Sequence, residues 1–416
     1  MESHPSLIDA MRDLEVERLR FQAQGERARV IAARRDEPWK PAADLLPDCK
    51  SLLALYEAPF LAGGHERLDV VFRDGVGLRF LCAVHSSRAG PGAGGLRRHD
   101  LVDPEETVVR DVLNLARAMT YKNLAAETGR GGSKLCIHNP PLPPYDRDAW
   151  LEALVEEIDL SGTITGPDTG LTGADMIDLA ARTDNVSGIL GGGTSVSAAF
   201  GVHEAIKATA AALGRPLNET HVAIQGLGSL GLELATQLAG DGAKLTVTDQ
   251  DHGRIDALLS GLTPAARKLV GIVAPYQITE VEADILAPCA AGDVITADGI
   301  AGLNCRAICG GANNQLRAAN LDDELALAER LHLAGILFVP DWLASAGGAI
   351  HGVMEATKGE TFETKKARAR IRRVSGWAVD AVLEDAKRTG RAPLHIAAER
   401  YLGSLSPASG NAGQGS

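Results

Sequence analysis

The sequence predicts an α/β protein built of two domains, and three observations carry that expectation. The chain has 416 residues, and one core organises roughly 100–200. Next, Gly226-Leu227-Gly228-Ser229-Leu230-Gly231 stands between a strand-like run, Val222-Ala223-Ile224-Gln225, and a helix reaching Leu238. Last, three later apolar runs each close in a small or polar loop: Ala283–Ala290, Ala307–Gln315 and Ile336–Trp342. Strands alternating with helices in this way build a parallel sheet.

The glycine turn is the most specific of the three. G-x-G-x-x-G between strand and helix allows a tight turn and close approach of a pyrophosphate, and the helix N-terminus supplies amide donors. A second strand, Leu245–Thr248, ends in Asp249, eighteen residues past Gly231. An acid there binds both ribose hydroxyls and repels a 2′-phosphate. The expectation is a Rossmann domain near 196–345 that takes NAD, with Gly226, Gly228, Ser229, Leu230, Gly231 and Asp249 against it. An ordinary strand–turn–helix is the competing reading.

Composition narrows the class. A net charge of −12 argues against a nucleic-acid binder, which needs a basic face. Met1–Arg35 carries charges throughout, with no apolar core of a secretory leader. No apolar run is long enough to span a membrane, so the expected location is cytoplasmic. Six scattered cysteines in so long a chain are not a disulfide framework. Cys305-x-x-x-Cys309 lacks a partner pair at zinc spacing, so no metal is expected.

In chain order, residues 6–35 read as one charged helix, with an imperfect apolar stripe from Ile8 to Phe21, and 1–50 as a helical extension. Leu68–Phe72 and Leu78–His85 flank a turn at Arg73–Gly77, a hairpin signal. Gly90–Arg97 is a glycine-rich loop. Lys122 follows the helix-like run Val109–Met119, and Lys134 lies twelve residues on, after Gly131-Gly132 and before the strand-like Leu135-Cys136-Ile137. The glycines let another segment or a ligand come close. Two lysines in one cleft can divide the work: one stays charged and holds a carboxylate, while the other, partly neutral, acts as a base. Two solvated surface lysines remain the alternative. After a proline-rich connector, Pro140–Asp148, and a helix over Trp150–Leu160, Asp168 sits at a strand end, where a turn or cap aspartate is the plain reading. Gly188–Gly193 reads as a hinge, and Ser404–Ser416 as a disordered tail.

These motifs, in this order, resemble the glutamate/leucine/phenylalanine/valine dehydrogenases over about 65–402. Leu115–Asn123 is similar to that family's substrate-lysine motif. Gly131-Gly132-Ser133-Lys134 is similar to its catalytic-lysine loop, with Ser133 where glycine or alanine is usual. Asp168 with Ala174-Asp175-Met176 matches the catalytic-aspartate region. The resemblance implies two α/β domains around a cleft. One, over 51–190, binds substrate and assembles subunits, and helices over 350–402 complete it. The Rossmann domain covers 191–349. It implies NAD-dependent, reversible oxidative deamination of an L-amino acid to a 2-oxo acid and ammonia by a homo-oligomer. In it Lys122 holds the α-carboxylate, Lys134 activates water and Asp168 shuttles protons to and from nitrogen. Gly94, Gly95 and Met119 border the substrate. Cys289, Ala290, Gly311, Ala312, Asn313 and Ser345 join the cofactor set.

Two positions depart from the pattern. Ser345 stands where Asn is usual, and Ala198 near the usual Thr; Ser195 or Ser197 are the substitutes at hand. A non-catalytic NAD-sensing paralogue, or a dehydrogenase of an unusual amine-bearing metabolite, therefore stays open. Ala93 replaces the lysine that grips glutamate's side chain in the glutamate-specific branch. Ala93, Gly166, Ala349 and Gly352 are each smaller than their counterparts in the leucine-specific branch. Missing methyl groups leave unfilled volume around leucine, so the expected substrate side chain is bulky and uncharged, such as phenylalanine or tryptophan. Leu78 or His351 leaning in is the alternative.

Overall fold

The computed structural model describes residues 6–139 and 146–403. Most of the proline-rich connector and the tail from 404 lie outside the described residues. The chain divides into two units. One comprises the chain up to Asn123, Glu127–Ser197 and Gly348–Ala367; the other comprises Leu124–Ala126, Ala198–Gly347 and the chain from Arg368. Among the described residues no helix is long and apolar enough to cross a membrane.

The first unit is built on a mostly antiparallel sheet. Its strands are β1 (Arg18–Gln24), β2 (Arg27–Ala33), β3 (Lys40–Pro41), β4 (Arg67–Arg73), β5 (Leu78–Ser86), β6 (Gly92–Ala93), β7 (Leu96–His99) and β8 (Gly131–His138). They run in the order β3-β2-β1-β4-β5-β8-β6, with β7 also paired to β8. The β1–β2 hairpin corrects the expectation of one helix over 6–35, and with it the helical extension over 1–50. Within 6–35 only Leu7–Asp13 is helical, and Glu15 just beyond has φ 57°. Leu19 and Phe21 are fully buried while their neighbours Arg18, Arg20 and Gln22 are half-buried. That is a period of two, not 3.6. Gly25, at φ 64°, occupies the first of two turn residues, where a tight hairpin wants a left-handed glycine. Arg20 pairs with Asp69 on the neighbouring strand β4, and Arg18 with Glu157 in the helix Arg147–Ser161.

The two glycines before Lys134 also have a cause. Lys134 lies inside β8 rather than ahead of a strand. A Cβ on Gly132 would stand 2.1 Å from the Thr120 amide nitrogen, in the helix Glu105–Ala125. A Cβ on Gly131 would meet the Ser86 carbonyl at 2.1 Å. Strand and helix backbones approach here so closely that only glycine fits.

The second unit carries β9 (His221–Gln225), β10 (Lys244–Thr248), β11 (Val270–Ile272), β12 (Ala283–Pro288), β13 (Cys305–Ile308) and β14 (Leu337–Phe338). All pair in parallel, in the order β11-β10-β9-β12-β13-β14. The order reverses between β9 and β12, the switch point beside which open α/β sheets bind ligands. One boundary differs from expectation. Only Gly348–Ala367 returns to the first unit, and the helices Ala378–Thr389 and Pro393–Leu402 belong to the second. There Trp342 and Tyr401 meet edge to face, and His332 Nε2 lies 3.0 Å from the Gly390 carbonyl. Residues 191–197, assigned by sequence to the Rossmann domain, fall in the first unit.

Candidate active site

In the first unit, three segments converge on Lys134. β7 runs parallel to β8, with Leu96 opposite Leu135 and Arg97 opposite Cys136. The segment 164–169 continues alongside: Gly94 and Leu96 amides donate to the Ile164 and Gly166 carbonyls, and Arg98 to that of Thr169. The turn between β6 and β7 is thereby held between β8 and the aspartate segment. A Cβ on Gly95 would stand 2.9 Å from Lys134 Nζ and 3.0 Å from Asp168 Cβ, and one on Gly94 would stand 1.8 Å from the Ser133 carbonyl. Glycine at 94 and 95 is what admits the lysine and the aspartate side by side. Met119 borders Gly94 from the helix, 3.3 Å from the same Gly94 Cβ position. Asn123 fastens the turn, donating to the carbonyls of Ala93 and Gly131 at 3.2 and 2.7 Å.

Lys134 is 3% exposed and forms an ion pair with Asp168. Asp168 also accepts from the Thr169 amide at 2.7 Å and from Arg97 at 3.2 Å. Burial pushes the Lys134 ammonium down; the Asp168 anion pulls it up, the Arg97 cation pushes it down again, and the net direction is downward. Burial alone would raise Asp168, but Lys134 and Arg97 outweigh it and hold the carboxyl well below the usual range. The pair therefore combines a fixed carboxylate with a lysine biased toward its neutral form. Lys122 is buried on the helix, just past Thr120, where the helix touches Gly132. Sequence reasoning missed Arg97, Asp111 and His99, which stand behind this pair. The only signal was an arginine two residues after the Gly-Gly turn.

Gly166, Pro167, Ser187, Gly188, Thr194 and Gly352 form a second neighbourhood in the same unit. A Cβ on Gly166 would meet the Ser187 carbonyl at 2.7 Å. One on Gly188 would stand 3.3 Å from Pro167 and 3.9 Å from the Gly352 backbone. The side chains nearest a Cβ on Gly352 are Ser187 and Thr194, at 3.8 and 3.9 Å. Ala349 is half-buried one turn earlier in the same helix, Gly347–Lys358. His351 is fully buried, with Nδ1 2.7 Å from Ser197 Oγ and Nε2 3.2 Å from Glu355. The Glu355 carboxylate also accepts from the amides of Gly188, Ile189 and Leu190. Leu78 lies in the core with Phe80, Leu135 and Leu154. Leu78 thus packs in the core, and both ring nitrogens of His351 have partners within the protein.

In the second unit, the loops at the carboxyl ends of β9, β12 and β13 meet. Gly226, at φ 92°, would place a Cβ 2.6 Å from that of Ala290. Gly231 would place one 2.0 Å from the Gly226 carbonyl and 3.3 Å from Cys289 Cβ, and Gly311 one 2.5 Å from Leu230. Gly228 differs: a Cβ there meets nothing nearer than Arg254 at 4.0 Å. Two glycines thus close the turn, while the third leaves open the approach that a pyrophosphate needs, at the N-terminus of the helix Ser229–Gly240. Asp249 accepts from the Leu227 and Asp251 amides at 2.7 and 2.8 Å, which orients it beside the turn. Ala312 is buried and Asn313 half-buried in the loop after β13. These residues fit a dinucleotide. Ser345 is 2% exposed, and its hydroxyl donates to the Asp341 carbonyl at 2.7 Å, within its own helix. Ser197 is occupied by His351.

Residues 73–184 match the family model "Glu/Leu/Phe/Val dehydrogenase, dimerisation domain", and residues 188–406 that of "Glutamate/Leucine/Phenylalanine/Valine dehydrogenase". The chain belongs to this family. It is similar to the leucine dehydrogenase of Bacillus cereus, 34% identical over 333 residues, covering 78% of this chain and 86% of that one. It is also similar to the valine dehydrogenase of Streptomyces coelicolor, 35% identical over 317 residues, covering 74% and 84%. Among solved structures, L-tryptophan dehydrogenase from Nostoc punctiforme aligns with a TM-score of 0.60 and 27% identity, over 83% of this chain and 97% of that one. As a member of the Glu/Leu/Phe/Val dehydrogenase family, the protein is an NAD-dependent amino-acid dehydrogenase acting on a CH–NH2 donor. Catalytic efficiency should be at least about tenfold higher with NAD than with NADP, a difference of about 1.4 kcal/mol. Asp249 would repel a 2′-phosphate placed beside it, and Arg254, 3.5 Å away, is already paired with it. Comparable efficiencies with the two cofactors would refute this.

Proposed function

We propose that the protein oxidatively deaminates an L-amino acid with a bulky, uncharged, aromatic side chain, and catalyses the reverse amination, as a homo-oligomer. The observation that carries the chemistry is the buried Lys134–Asp168 pair. Lys122 holds the α-carboxylate. Lys134, in its neutral form, takes a proton from the water that attacks the iminium carbon. Asp168 takes up and returns the protons of the departing nitrogen. NAD, when bound, accepts the hydride from Cα. A lysine biased toward its neutral form and a carboxylate held ionised can each accept a proton, one from water and one from nitrogen.

The side-chain preference rests on Ala93, Ala349 and Gly352 and on the small neighbours Ser187 and Thr194 of Gly352; Gly166 adds no room, because the Ser187 carbonyl takes the place of its missing methyl. The likeness to a tryptophan dehydrogenase agrees with it. The deciding measurement is catalytic efficiency with phenylalanine, tryptophan and leucine side by side. The aromatic substrates should win by about tenfold, since each missing methylene is worth roughly 1–3 kcal/mol. A clear preference for leucine sinks the enlarged pocket.

A further inference from the structure

Behind the Lys134–Asp168 pair runs a line of charged groups. Arg97 and Cys136 are partners across β7 and β8, and Lys134 lies two residues from Cys136. Alternation along a strand puts all three side chains on one face, toward the helix Glu105–Ala125, which carries Asp111. The Arg97 guanidinium reaches both ways. Nη1 donates to Asp111 at 2.9 Å and Nη2 to Asp168 at 3.2 Å. Beyond Asp111, His99 Nε2 stands at 2.9 Å, and its Nδ1 is 3.1 Å from Asp103. A planar fork can hold two carboxylates on different edges at once, whereas one ammonium cannot hold the same geometry.

We infer that Arg97 is a positioning residue: it fixes the Asp168 carboxylate against Lys134 and, backed by Asp111 and His99, sets the charge that the base works against. This rests on the reading of Lys134 as the base. The groups facing Arg97 are Asp168 from the segment after β8, Asp111 from the helix, and Lys134 and Cys136 from β8. His99 stands on its own strand and Asp103 in the turn beyond. Burial keeps the Cys136 thiol protonated, so it adds no charge. Asp111 holds His99 up toward its charged form, and His99 and Arg97 keep Asp111 ionised against its burial.

Two substitutions should move the pH profile in opposite senses. For deamination, the acidic limb of kcat/KM follows the loss of the Lys134 proton. Arg97→Gln removes a cation that disfavours the charged lysine, so the limb should move up by about half a unit or more, with kcat falling about tenfold at neutral pH. Asp111→Asn removes an anion that favours the charged lysine, so its limb should move down. Arg97→Lys, which keeps the charge, should leave the limb near wild type while lowering kcat. Thermal melting confirms that each variant folds. If Arg97→Gln does not fold, the direction of the Asp111→Asn shift decides. An unshifted limb in folded Arg97→Gln, or an upward shift in Asp111→Asn, overturns the inference. Lys134→Ala separates the two levels. Its retained turnover would remove the base assignment itself, while an inactive Lys134→Ala beside an unshifted Arg97→Gln removes only the role of Arg97.

Discussion

Lys134→Ala should lose at least about a thousandfold in kcat, within the 10²–10⁴ that a positioned proton-transfer group contributes and the further loss of a pre-oriented water. NAD should still bind. The lysine is buried in β8 against Asp168, in a space that Gly95 leaves open. No nearby side chain can replace it as a base. Asp168 stays engaged by Arg97 and the Thr169 amide, Arg97 is held charged, and Cys136 is protonated. Alanine suits a buried strand position, so the sheet should persist, and Asp168 keeps Arg97 as its counter-ion. The glycine turn and Asp249 belong to the other unit, so a fluorescence titration with NADH should give an affinity close to wild type. Turnover within tenfold of wild type, about 1.4 kcal/mol of barrier, would remove Lys134 from the base role.

The glycine turn after β9 was legible in the sequence because its constraint is local. Gly226, Gly228 and Gly231 stand at fixed offsets between a strand and a helix; close contacts require glycine at 226 and 231, while 228 stays open. The same holds for Gly131-Gly132 before Lys134, although the segment that they admit is the helix at Thr120. What escaped reading is set by topology. Arg97, Asp111 and Asp168 are 14 and 71 residues apart along the chain, and only the β7–β8 pairing and the return of the segment 164–169 bring them together. The β1–β2 hairpin was hidden because the partners of Arg18 and Arg20, Glu157 and Asp69, lie far along the chain. The last two helices bury Val379, Val382, Leu383 and Leu394. An apolar stripe says that a helix packs, not on which unit. The hydroxyl of Ser345 gave no hint that its own helix would claim it.

Asp168→Asn is the sharper test of the pair, because it changes charge at nearly constant shape. An amide cannot take up a proton, so deamination should slow by about 10²–10⁴, the range for a removed acid–base group. The pH profile gives a second, signed readout. Asp168 is the anion that pulls the Lys134 proton affinity up against burial and Arg97. Without it, Lys134 and Arg97 face each other as two buried cations, and the lysine is the one that can shed its charge. The acidic limb of the residual activity should therefore move to lower pH, opposite to the shift expected for Arg97→Gln. A purely structural role for Asp168 would lower the melting temperature and leave the limb in place. Wild-type kcat, or a residual profile that coincides with wild type, would count against the proton-shuttle role. A slow enzyme whose limb has moved down would tie the rate to the charge that Asp168 places beside Lys134.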